Sequence, residues 1–118
     1  MTATVPFASE EGHVLPGLVD IQVNGAYGHD FTNDPSSIWE VARLLPRHGV
    51  AAFLPTVISS PVEVATEAMS IVAAGPPPGF VGARPLGVHV EGPVISPRKR
   101  GTHPLEALQE PTIEWAER

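Results

Sequence analysis

Three short apolar runs, each followed by a segment with helical spacing, constrain this chain more than any other feature. "LPGLVDIQVNG" (Leu15–Gly25) opens on a Pro-Gly turn and then alternates, with Val19, Ile21 and Val23 on one face and Asp20, Gln22 and Asn24 on the other. "NDPSSIWEVARLLPRHG" carries helix-start chemistry at Asp34, Pro35 and Ser36, apolar residues at Ile38, Val41, Ala42 and Leu45, and a stop at Gly49. Pro46, late in that pattern, predicts a shortened or kinked helix. "VAAFLPTVISS" is apolar and of strand length. "SPVEVATEAMSIVAAG" follows it, with Pro61 suited to a first helical turn and Gly75 to a C-terminal cap. "GPPPGF" is a stiff connector, "ARPLGVHVEGP" a third strand, and "PTIEWAER" the opening of a third helix.

The order βαβαβα, with strands apolar enough to be buried on at least one face, predicts a parallel sheet with right-handed crossovers. An isolated three-stranded unit would leave both sheet edges open and turn the polar face of Asp20, Gln22 and Asn24 to water. In a (β/α)8 barrel the same face points inward at the mouth, where the C-terminal ends of the strands build the site. Such barrels take roughly 250 residues, and the chain has 118. The expected fold class is therefore α/β: a partial (β/α)8 TIM barrel, its first three βα units with parallel strands.

Charge and composition narrow the function. Seven Lys and Arg against 13 Asp and Glu give a formal charge of -6, so nothing electrostatic favours nucleic acid or an anionic membrane surface. Without cysteine there is no disulfide framework and no thiolate metal site, and His, Asp, Glu and amide or carbonyl oxygens are the available ligands. The N-terminus lacks a basic region followed by a long apolar one, and no apolar run approaches the ~20 residues of a spanning helix. A cytoplasmic protein acting on a small molecule, with no membrane and no nucleic-acid partner, is the expectation.

The chemistry concentrates in "LGVHVEGPVISPRKRGTH" (Leu86 to His103). By residue type alone, Glu91 is a surface carboxylate at a strand end, and His103 an exposed loop histidine beside Pro104. Together, however, "LPGLVDIQVNG" with its following Gly and "DF", "HGVAAFLPTVISS", and above all "LGVHVEGP" with "KRGTHP" resemble the N-acetylglucosamine-6-phosphate deacetylases of the amidohydrolase superfamily, over nearly all of the chain from Leu15. Pro-Gly before a strand with an aspartate also opens many other amidohydrolases. H-h-E-G-P followed by K-x-G-T-H at this spacing is much narrower.

The resemblance implies a metal-dependent hydrolase of carbohydrate metabolism, with a (β/α)8 barrel, a small β-sandwich built from both chain ends, a divalent, zinc-like metal ion at the barrel mouth, and a homodimer. It implies removal of the N-acetyl group of N-acetylglucosamine 6-phosphate, giving glucosamine 6-phosphate and acetate. Glu91 matches the metal-binding glutamate. A carboxylate directly before Gly-Pro, where the chain leaves the sheet, can reach a cation at the mouth. His103 matches a histidine that contacts the substrate near the acetyl carbonyl, where an imidazole N–H stabilises charge developing on oxygen. His89, two residues before Glu91 and on the same face, is a packed or orienting histidine that lines the site.

Gln22 and Asn24 stand where many amidohydrolases have H-x-H. Amides are poorer ligands for zinc-like metals, so the resemblance implies one metal ion, with Gln22 and Asn24 lining the site or satisfying one another as inward polar residues. Arg98, Lys99 and Arg100 form a solvated basic run and are assigned no phosphate role, while Thr56 and Val57 close the second strand and pack there.

The family pattern also requires two metal-binding histidines and a catalytic aspartate on later strands, expected beyond the chain end. Residues 1–14 are read as a truncated remnant of the small sandwich and residues 15–118 as the incomplete N-terminal part of the barrel. The chain is thus read as a fragment, inactive and marginally folded alone, with a complementary chain as a possible partner. Two alternatives stay open: a related amidohydrolase with another amide substrate, and a non-catalytic remnant or binding module.

Overall fold

The computed structural model describes residues 7, 8 and 13–117. Two short strands, β1 (Phe7–Ala8) and β2 (Val14–Leu15), pair antiparallel. The remainder of the segment read as a sandwich remnant, residues 1–6 and 9–12, lies outside the described residues. The main sheet is parallel. Its central strand β4 (Val50–Ile58) pairs with β3 (Leu18–Val23) on one side and with β5 (Arg84–Pro85) and β6 (His89–Glu91) on the other. The order across the sheet follows the chain order without reversal.

Proline and glycine set the boundaries. Pro35 opens a 3₁₀ turn that runs into helix α1 (Ile38–Leu44), and Pro46 converts the final turn to a second 3₁₀ segment ending at Gly49, whose φ is +77°. Pro61 precedes α2 (Val62–Ala74), and Gly75 follows it at φ +82°. Val64, Ala68, Ile71 and Val72 recur at helical spacing and meet the core. Ile38, Val41, Ala42 and Leu45 are buried as their spacing predicts, and they pack with Phe31, Phe53 and Val57. Thr112 caps the short helix α3 (Ile113–Ala116) by accepting from Trp115 N–H at 3.1 Å.

Two expectations change. The third strand is broken into β5 and β6 over Leu86–Val88: the ladder with β4 holds where Phe53 faces Pro85 and Leu86 N–H donates to Phe53 O, it resumes where Thr56 faces His89, and between them Pro55 lacks the N–H that would carry it on. The register of β3 on β4 also shifts between Asp20 and Val23, where Val23 comes opposite Pro55. The second change is on β3: of its apolar face only Val23 is buried, while Val19 and Ile21 are 57% and 68% exposed. As an edge strand, β3 has its outer face uncovered, whereas β4 is buried at Phe53, Pro55 and Val57. No helix among the described residues is long and apolar enough to cross a membrane.

Candidate active site

The C-terminal ends of the parallel strands bring four of the five sequence-predicted site residues together. Glu91 ends β6, Gln22 is the penultimate residue of β3, and Asn24 lies just past it. Gln22 Nε2 donates to Glu91 Oε2 at 3.1 Å and Asn24 Nδ2 to the same oxygen at 3.5 Å. From the opposite side, His103 Nε2 lies 3.5 Å from Glu91 Oε1. The Glu91 side chain is 31% exposed and that of His103 only 7%. Glu91 is thus oriented by two amides and an imidazole while still reaching solvent.

His103 is held by its backbone and by its second ring nitrogen. Its N–H donates to Arg100 O at 3.0 Å, and the Arg100 guanidinium returns a bond to His103 O at 2.6 Å. Arg100 therefore supports the loop. On the ring, Ser59 N–H donates to Nδ1 at 3.3 Å and Ser59 Oγ lies 2.8 Å from the same atom. A backbone N–H can only donate, so Nδ1 is an acceptor and the proton of the neutral ring sits on Nε2, facing Glu91. Gly92 makes this packing possible: at φ +91°, a Cβ there would collide with Ser59 Oγ and lie 3.5 Å from His103 Nδ1.

His89 stands apart. Its Nδ1 is 3.3 Å from Thr56 Oγ1, which also donates to Leu54 O at 3.2 Å, so His89 is fixed to the central strand rather than to Glu91. Ser59 is the residue that sequence reasoning missed. Its contact with His103 spans 44 positions, and its only local signal is a small hydroxyl residue just beyond a strand end, a position that faces the site in a parallel sheet. A cavity of about 990 Å³ includes Ser59, Val62, Val90, Pro93, Pro104 and Trp115 in its lining, and neither Glu91 nor His103 lines it.

The donor set fits a divalent cation only in part. Glu91 offers one carboxylate, but no group of three or more His, Cys, Asp or Glu able to hold a metal occurs among the described residues. A catalytic zinc site normally takes three protein ligands.

Parallel βα units whose strand ends gather a carboxylate, an imidazole and two amides place the chain among α/β proteins that carry polar chemistry at the C-terminal edge of the sheet. No family model matches the chain. It is 42% identical over 103 residues to the N-acetylglucosamine-6-phosphate deacetylase of Bos taurus, covering 81% of this chain and 24% of that protein. The Homo sapiens protein of the same name is 41% identical over 106 residues, covering 83% and 25%. The N-acetylgalactosamine-6-phosphate deacetylase of Escherichia coli O157:H7 is 33% identical over 98 residues, covering 82% and 26%. Among solved structures, the N-acetylglucosamine-6-phosphate deacetylase of Thermotoga maritima aligns with a TM-score of 0.73 at 30% identity, and that of Pasteurella multocida with 0.67 at 28%. Each alignment covers 86% of this chain and 27% of the solved chain. The chain spans about a quarter of the length of the curated relatives it matches. Over those residues it belongs to the N-acetylglucosamine-6-phosphate deacetylase family.

Proposed function

We propose that residues 15–118 form the first three βα units of a (β/α)8 barrel that hydrolyses the N-acetyl group of N-acetylglucosamine 6-phosphate to glucosamine 6-phosphate and acetate, with residues 1–14 contributing to a small β-sandwich. The observation that supports this most is the convergence of Gln22, Asn24 and His103 on Glu91 at the C-terminal strand ends, in a chain whose relatives bear this activity in their names.

Glu91 is the residue that would hold a single divalent, zinc-like cation, which when bound supplies Lewis-acid polarisation of the amide carbonyl. Gln22 and Asn24 fix the orientation of the Glu91 carboxylate, leaving its exposed side for the cation. His103 presents Nε2–H toward the same space and donates to the acetyl oxygen as charge develops there. His89, tied to Thr56, lines the floor. Two further metal ligands and the aspartate that moves protons to and from the leaving amine belong to segments outside these 118 residues.

A second substrate, N-acetylgalactosamine 6-phosphate, is favoured by the Escherichia coli relative of that name. Both readings are tested by grafting residues 18–103 into the Thermotoga maritima enzyme in place of the matching segment and measuring acetate release from each sugar phosphate. Faster turnover of the glucosamine derivative, with loss of bound metal and of turnover in Glu91→Gln, supports the first reading. A folded, metal-loaded chimera that hydrolyses neither substrate defeats both.

A further inference from the structure

We infer that Ser59 is a positioning residue that holds His103 in its Nε2–H tautomer and fixes the plane of the ring. The hydroxyl lies 2.8 Å from Nδ1, the Ser59 backbone N–H donates to that same nitrogen at 3.3 Å, and both Ser59 and His103 are buried, at 2% and 6% exposure. In the opposite tautomer, Nδ1–H would face the Ser59 N–H, and the bare Nε2 would face the Glu91 carboxylate 3.5 Å away. A backbone N–H that can only donate to Nδ1 and a carboxylate that can only accept before Nε2 therefore select one arrangement, in which the Ser59 hydroxyl also donates to Nδ1.

Among the described residues Ser59 has no other hydrogen-bonded side-chain partner, and its Oγ occupies the space that Gly92 leaves open by lacking a Cβ. A hydroxyl packed into a glycine-sized gap against a buried imidazole serves orientation; the backbone N–H alone, at the longer distance, leaves the ring less defined. The consequence for catalysis, a donor already aimed before substrate arrives, rests on the proposed role of His103 at the acetyl oxygen.

The test separates the two ideas. In the full 118-residue chain labelled with ¹⁵N-histidine and held at about pH 8.5, where an ordinary imidazole is neutral, the ring nitrogens of His103 are assigned by their loss in His103→Gln. The expected spectrum has a protonated Nε2 and an unprotonated, hydrogen-bonded Nδ1. Ser59→Ala should move both signals toward a tautomer average, Ser59→Thr should restore them, and the His89 signals should stay in place as the internal measure of fold. Should the alanine variant disturb His89 as well, Ser59→Cys, which keeps the volume and weakens the donor, gives the same comparison. A protonated Nδ1 in the unmodified chain, or His103 signals indifferent to loss of the hydroxyl in a folded variant, would overturn the inference. In the chimera, Ser59→Ala should lower kcat about tenfold, the size of one lost hydrogen bond, with KM changed less than about twofold and recovery in Ser59→Thr. An inactive chimera whose His103 still shows the selected tautomer would defeat the proposed function and leave the role of Ser59 standing.

Discussion

Replacing Gly92 by alanine perturbs both the backbone and the packing of the His103 pocket, and the size of the effect follows from three terms. Gly92 has φ +91°, and placing an L-residue in left-handed backbone costs about 1–2 kcal/mol. The new methyl also collides with Ser59 Oγ and lies 3.2 Å from Ile95 Cδ1. Relieving that collision moves the hydroxyl off His103 Nδ1, a loss of about 1 kcal/mol in a buried site. Against these, alanine reduces the freedom of the unfolded chain by about 0.4–1 kcal/mol. The net destabilisation is about 2 kcal/mol, which at an m-value of about 1–3 kcal/mol/M shifts the urea midpoint by roughly 1 M. Gly79→Ala is the control: Gly79 also has positive φ, +71°, but open space where its Cβ would stand. It shares the backbone term and lacks the collision, so urea unfolding followed by circular dichroism should find Gly92→Ala the more destabilising by about 1 kcal/mol. Equal midpoints for the two variants would refute the packing argument around Ser59 and His103.

Two further predictions concern the sheet. Phe53 is fully buried on the central strand and pairs with Phe31 at a ring-centroid distance of 6.4 Å, so Phe53→Ala should lower the unfolding free energy by about 3–5 kcal/mol in the same assay. Ile21 is 68% exposed despite its place in an alternating apolar pattern, so Ile21→Ser in this chain should change stability by no more than about 0.5 kcal/mol. A loss above about 2 kcal/mol would mean that the outer face of β3 is covered in solution.

The element boundaries were legible in the sequence because the residues that set them act locally. Pro46 and Gly49 shorten and stop the first helix, and Pro61 and Gly75 bracket the second, through backbone geometry that needs no distant partner. Burial on β4 and α1 was legible for a related reason: those elements have a neighbour on their apolar side. The Ile21 side of β3 has none, and a periodic pattern reports which face is apolar, not whether anything covers it. The break in the third strand depends on Pro55 of β4 falling between the stretches paired at Phe53–Pro85 and Thr56–His89, a placement that appears only once the register is known. At the site, Glu91 and His103 stood out through a motif, and Gln22 and Asn24 through the alternation that puts both on one side of the chain at the end of β3. Ser59 had no such signal, since its significance comes from an imidazole that arrives from a loop 44 residues later.

The relation between Glu91 and a metal ion is the central claim, and locating the ion tests it most directly. Crystals of the Thermotoga maritima chimera carrying residues 18–103, grown with zinc and measured at the zinc absorption edge, should show one anomalous peak within about 2.0–2.2 Å of a Glu91 carboxylate oxygen. That peak should disappear in Glu91→Gln. A fully occupied metal bound elsewhere, with none within bonding distance of Glu91, would contradict the account.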